Sequence, residues 1–190
     1  MFIEITEYLK CPANHAAAWL VLAPERLEQR HVVTGMVGCP VCKSEFAIRD
    51  RVVQFGTAPA WSGAAHVPGA ATIQALIGLE SPGGVVVLVG SAADVATELA
   101  PLMPGVHLIV VNAERPAPGT SPVESASGLP LRDRMARGVV LGGEAVDWVA
   151  EARRVVLPGQ RVVVLRDAVP VVEGLEALAS GDGLWVGRRR

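Results

Sequence analysis

Gly84-Val85-Val86-Val87-Leu88-Val89-Gly90 is a run of five apolar residues, four of them valine, closed by a glycine at each end. Continuous β-branched runs of this length are strands buried on both faces, the kind found in parallel sheets. Downstream, Ala92 to Met103 carries Val95, Leu99 and Leu102 at helical spacing and stops at Pro104-Gly105. Val106 to Val111 is a second strand, and the next candidate lies near Val123, too close to leave room for a helix after Asn112. Gly138 to Gly142 is another strand, followed by a helix over Glu144 to Leu157 that Pro158-Gly159 closes. Arg161 to Leu165 is a strand, Val172 to about Ala179 is expected as a helix, and Leu184-Trp185-Val186 as a last short strand. Alternation of strand and helix at this spacing predicts βαβ units, hence an α/β fold with a mainly parallel sheet.

The first 55 residues read differently. They hold five of the eight aromatics (Phe2, Tyr8, Trp19, Phe46, Phe55), whereas Ala, Val, Gly and Leu dominate the rest of the chain. Between the two parts, Gly56-Thr57-Ala58-Pro59-Ala60-Trp61-Ser62-Gly63 is rich in turn residues. We therefore expect a small β module over 1–55, a linker over 56–69 and the α/β domain over 70–190.

Two knuckles organise the small module. Cys39-Pro40-Val41-Cys42 is a CxxC that presents two thiolates to one side of a tetrahedral ion. In Cys11-Pro12-Ala13-Asn14-His15, Asn14 stands where a second cysteine is expected, and His15 comes next with an imidazole nitrogen. Three cysteines cannot all pair, which argues for a metal or a reactive thiol over a disulfide framework. The expected ligands are Cys11, His15, Cys39 and Cys42, with His31 the rival for the fourth place. Four filled positions make the ion, zinc, structural. A ribbon this small buries too little apolar surface alone, so metal binding supplies much of its folding energy.

Bulk composition narrows the function classes. The chain of 190 residues is 51% hydrophobic and 19% charged, with formal net charge -2. That balance fits a packed core and gives no reason for nucleic-acid or membrane attraction. Six Lys and Arg balance six Asp and Glu in the first 55 residues, so the phosphate attraction behind nucleic-acid binding is missing there too. The start carries Glu4 and Glu7 and no basic region, unlike a signal peptide, and no apolar run approaches bilayer length. A cytoplasmic location is the expectation. Asp94, Glu144 and Asp147 read as charges at helix starts. His66 and His107 stand alone, Gly142-Gly143 is a weak phosphate signal, and Arg188-Arg189-Arg190 is expected to be a solvated tail.

Tyr8 to Pro12, with Gly38-Cys39-Pro40-Val41-Cys42-Lys43-Ser44-Glu45-Phe46 and the residues to Asp50, resembles the zinc ribbon of small methyltransferase-activator proteins. Residues from about 70 to 187 resemble a class I S-adenosylmethionine-dependent methyltransferase domain of Rossmann type. The resemblance is carried by Leu129-Pro130-Leu131, Val139-Val140-Leu141 and Glu151 to Arg161. It implies a glycine-rich cofactor turn after the first strand and a carboxylate for the ribose at the end of the second. Here Gly90 keeps the first glycine, but Ala92 and Asp94 replace the others, Leu88 replaces the acidic residue inside the strand, and Asn112 replaces the carboxylate. The fourth strand ends in Leu141-Gly142-Gly143, with no Asp or Asn for a methyl acceptor. The vestigial cofactor set is Gly90, Ser91 and Asn112. The expectation is a degenerate, non-catalytic scaffold without S-adenosylmethionine and with no catalytic residue; the alternative is a divergent methyltransferase. As in activator ribbons, the module is expected to dock a protein partner or a second copy, with Trp19, Val21 and Leu22 in the exposed patch.

Overall fold

The valine runs form the middle of one sheet in the computed structural model, which describes residues 1–16, 18–61 and 66–190. Its strands are β1 (Val21–Glu28), β2 (His31–Gly38), β3 (Glu45–Arg49), β4 (Val52–Phe55), β5 (Val85–Val89), β6 (His107–Val111), β7 (Ser121–Ser125), β8 (Ala136–Leu141), β9 (Val156–Val164), β10 (Leu175–Gly181) and β11 (Leu184–Arg189). Among the described residues three α-helices cover it: α1 (Ala70–Ile77), α2 (Ala96–Leu99) and α3 (Val149–Val155). The strand order is β1-β2-β3-β4-β7-β6-β5-β8-β9-β11-β10. From β4 through β7, β6, β5, β8 and β9 every neighbour is parallel. Within that stretch β7-β6-β5-β8-β9 follows the 3-2-1-4-5 order of a doubly wound sheet, and the order reverses between β5 and β8.

Period-two alternation sends successive side chains of each strand to opposite faces. Val85, Val87 and Val89 join Ile109, Val111, Val139 and Leu141 in one core, while Val86 and Leu88 join Leu108, Val110, Val140 and Val163 in the other. Helices α1 and α2 close the second core, and α3 contributes Val149, Ala152 and Val155 to the first. That first core also takes in Ile5, Leu9, Val32, Val37, Ile48, Val53 and Phe55 from the amino-terminal segment. The same segment joins the sheet directly, through the parallel pairing of Val53 to Phe55 with Val123 to Ser125.

Several local expectations need correction. Leu175 to Gly181, which overlaps the expected carboxy-terminal helix, is strand β10, paired antiparallel with β11. The expected helix over 92–103 is a 3-10 turn, Gly90–Val95, a short α2 and another 3-10 turn, Ala100–Leu102. The helix expected over 144–157 has six residues of 3-10 geometry before α3, and Val156 and Leu157 already belong to β9. The arginine tail is not simply solvated. Arg188 and Arg189 lie in β11, and Arg189 is only 5% exposed. No helix separates β6 from β7 among the described residues, as the short spacing required. The linker expected over 56–69 falls partly on residues 62–65, outside the described residues. No helix among the described residues is long and apolar enough to cross a membrane.

Candidate functional sites: a Cys/His cluster and a cleft at the strand ends

The hairpin turn between β2 and β3 builds the second knuckle. Cys39 N–H donates to the Ser44 carbonyl (2.9 Å) and Lys43 N–H to the Cys39 carbonyl (3.0 Å), with Lys43 at φ +63°. These bonds close the turn with Cys39 and Cys42 on one side. The first knuckle leaves a 3-10 stretch, Ile3–Tyr8, and is pinned by the carboxy-terminal half of the chain. Lys10 N–H donates to the Pro130 carbonyl (2.9 Å), and Arg132 N–H to the Tyr8 carbonyl (2.8 Å).

The two turns bring Cys11, His15, Cys39 and Cys42 together, one ligand atom from each, all within 4.8 Å of one another. Cys11 Sγ lies 3.6 Å from Cys42 Sγ, and His15 Nε2 lies 3.3 Å from Cys39 Sγ. His15 Nδ1 bonds the Ala16 carbonyl at 2.7 Å, which makes Nδ1 the protonated nitrogen and leaves the Nε2 lone pair facing the thiols. Cys11 and Cys39 are buried, Cys42 exposed. Hydrogen bonds from the Ser44 hydroxyl and backbone hold the Cys42 thiol down at about 6, while burial pushes Cys11 up to about 11. The bond to the Ala16 carbonyl, then Cys42, raises His15. The four side chains are placed to hold a metal ion. His31 is elsewhere: it starts β2, bonds the Gln29 carbonyl and packs on the Phe2 ring, centroids 3.9 Å apart.

The second candidate lies at the carboxyl ends of β5, β6 and β8, where doubly wound sheets bind ligands. Gly90, Ser91 and Asn112 line one cleft of about 390 Å³ together with Trp61, Asp94 and Glu144. Burial, then the Glu114 and Glu144 carboxylates, raises Asp94 above its ordinary value.

Ser91 and Asn112 have partners within the fold. The Glu144 carboxylate accepts from Ser91 N–H (2.6 Å) and Ser91 Oγ (2.9 Å). It thereby lies against Gly90 and Gly142, filling the turn into which a ligand's polar end would be drawn. As a helix-start charge, Glu144 gives no sign in the sequence of folding back, because the contact joins residues 53 apart. The Gly142-Gly143 turn is taken by the same side chain, so it offers no phosphate seat. Asn112 sits at φ +53°, accepts from Ser125 N–H (2.8 Å) and donates to the Ser125 carbonyl (2.9 Å). One donor and one acceptor site of its amide tie β6 to β7. Trp61, in the sequence only one residue of a turn-rich linker, packs edge-on against Trp148, centroids 5.1 Å apart, and walls the cleft.

No protein-family model matches the chain, and no curated protein sequence matches it significantly. Solved structures similar to it include methyltransferases. A candidate methyltransferase of an antibiotic-biosynthesis pathway from Anabaena variabilis is 20% identical over 54% of this chain, TM-score 0.36, and the chain spans 47% of its length. The antibiotic-resistance methyltransferase Kmr is 18% identical over 72% of this chain and 97% of its own, TM-score 0.40. A geranyl diphosphate C-methyltransferase from Streptomyces coelicolor is 13% identical over 58% of this chain and 56% of its own, TM-score 0.37. Likeness of this degree assigns neither family nor activity here.

Proposed function

We propose that the chain is a non-catalytic scaffold, in which a zinc-stabilised ribbon is joined to a methyltransferase-like α/β domain that has lost its cofactor site. The observation that carries this reading is Glu144. Its carboxylate occupies the turn after β5, and its charge opposes the carboxylate end of S-adenosylmethionine, while Asn112 has its amide engaged by Ser125 instead of a ribose. Zinc is supported by the spacing of the ligand atoms. Bond lengths of about 2.3 Å to sulfur and about 2.0 to 2.1 Å to nitrogen put tetrahedral ligands about 3.8 Å (S to S) and about 3.6 Å (S to N) apart. The observed 3.6 and 3.3 Å need only a few tenths of an ångström of adjustment, and the wider separations, up to 4.8 Å, contract by about 1 Å around the ion. Three thiolates and one imidazole leave no open position, so the ion's contribution is to folding.

The ribbon is the proposed seat of a protein partner or a second copy. Trp19 and Val21 are each 60% exposed, and Leu27 and Val41 lie open in the same segment. Strand β1 is an edge, but Pro24 and the register shift beside it disrupt further pairing, so contact through side chains fits better than strand addition.

Calorimetry decides between this reading and a divergent methyltransferase, which the 390 Å³ cleft favours. The protein is expected to give no saturable heat with S-adenosylmethionine at tens of micromolar. Binding in that range would overturn the scaffold reading. Elemental analysis is expected to find one zinc per chain, lost in Cys39→Ser and His15→Ala but kept in His31→Ala.

A further inference from the structure

A second cavity lies at the opposite, amino-terminal end of the parallel strands. It has a volume of about 370 Å³ and is walled by three arginines from three adjacent strands: Arg137 (β8), Arg161 (β9) and Arg188 (β11). Small-molecule sites begin at about 300 Å³. Arg161 and Arg188 stand directly opposite each other in the antiparallel β9–β11 pair, where like charges destabilise a sheet. Glu176, opposite Arg188 on its other side, pairs with Arg188 at 3.3 Å. Among the described residues no carboxylate pairs with Arg137 or Arg161. Two of the three guanidinium groups on this concavity therefore lack a carboxylate partner among the described residues.

The guanidinium groups are held in place before any ligand arrives. Arg137 Nη1 donates to the carbonyls of Ser81 (2.8 Å), Pro82 (2.9 Å) and Gly83 (2.7 Å), and Nη2 to Ser81 Oγ (2.8 Å). Arg161 Nη1 donates to the Leu76 carbonyl at the end of α1 (3.0 Å). The plane of Arg161 lies over Gly78, at φ +64°, where a Cβ would stand 2.5 Å from Nη1. A guanidinium has five donors. Among the described residues Nε and both Nη2 protons of Arg161 have no partner, nor does Nε of Arg137, and Gln160 lines the same wall. Gly159, with nothing within 4 Å of where its Cβ would be, leaves the mouth open. Glu80 is the one acid on the lining.

We propose that this cavity binds the phosphate or diphosphate group of a small molecule. Planar guanidinium forks match phosphate oxygens in pairs, and pre-positioned side chains lose little freedom on binding. The anion also relieves the repulsion between Arg161 and Arg188. The inference is independent of the scaffold reading, because it uses neither the cleft beyond Gly90 nor the Cys/His cluster.

Calorimetry on the intact chain in chloride-poor buffer tests it, with sodium pyrophosphate, inorganic phosphate and phenyl phosphate as probes. Saturable binding is expected, pyrophosphate tighter than phosphate. Phenyl phosphate tighter than inorganic phosphate would identify a phosphorylated metabolite as the ligand, and the reverse would identify the free anion. Arg188→Gln and Arg161→Gln should each weaken pyrophosphate about tenfold, one lost charge-assisted bond. Glu80→Gln should tighten it. Arg161 also holds α1, so if Arg161→Gln misfolds, the two exposed-wall variants decide. No saturable heat at millimolar pyrophosphate, or wild-type affinity in both Arg188→Gln and Glu80→Gln, would overturn the proposal.

Discussion

At Asn112 one side chain closes the gap between two parallel strands while its backbone sits in the left-handed region, which Asn tolerates better than most residues. Asn112→Ala removes both bonds to Ser125 and keeps the strained φ. We expect it to lower stability by about 2 kcal/mol, read from urea unfolding. Asn112→Gly, which relaxes the φ, should lose less than the alanine variant. Glu151 shows a different balance. Burial raises its carboxyl, but bonds from Arg154 (2.8 Å to Oε2) and the Leu129 N–H (3.3 Å) win and hold it below its ordinary value of 4.5. A depressed folded value gives stability that is complete above the unfolded value and is lost as pH falls through the folded one. The melting temperature should therefore fall more steeply below pH 4.5 in the wild type than in Glu151→Gln. Equal slopes would show that the Arg154 contact contributes nothing.

The elements show where pattern reading succeeds and where it stops. Strands β5, β6, β8 and β9 are legible because burial on both faces forces continuous apolar runs, a signal carried wholly by local sequence. Strand β10 reads as a helix because Val172, Leu175 and Leu178 fall at helical spacing, and Ala and Leu are good helix formers. Pairing with β11 overrides that preference, as strand propensity depends on neighbours more than on the residue. Strand β11 in turn secures helix α3. Arg189 Nη1 donates to the carbonyls of Arg153 (2.8 Å), Arg154 (2.9 Å) and Val156 (2.7 Å) at the helix end, where intrahelical partners run out; the Arg154 carbonyl also accepts from Arg134 N–H (3.0 Å). Arg189→Met should cost about 2 kcal/mol by removing donors from the part-buried Arg153 and the buried Val156 carbonyls. Exposed Arg190→Ala should stay within about 0.5 kcal/mol, and equal effects in urea unfolding would remove the distinction.

Across the whole molecule, the amino-terminal strands and the α/β sheet share one core, and β4 completes the edge that β7 would otherwise expose. Stripping the zinc proposed for the Cys/His cluster should therefore melt both parts together. We expect circular dichroism and the fluorescence of Trp148 to lose signal in one transition when a chelator is added. Loss of the ribbon with an intact Trp148 environment would instead make 1–55 and 70–190 separate folding units. The three cysteines and the buried strands can be read from the chain alone, because thiol spacing and apolar runs are local properties, whereas the choice of His15 over His31 beside them needed the fold. Chain length alone likewise rules out a helix between β6 and β7. Folding in three dimensions was needed to place Glu144 in the turn beyond Gly90, to commit Asn112 to Ser125, and to set Arg161 against Arg188 across a cavity. Each of these depends on strand order and register, which bring together residues separated by 13 to 53 positions or set strands side by side that local pattern does not rank.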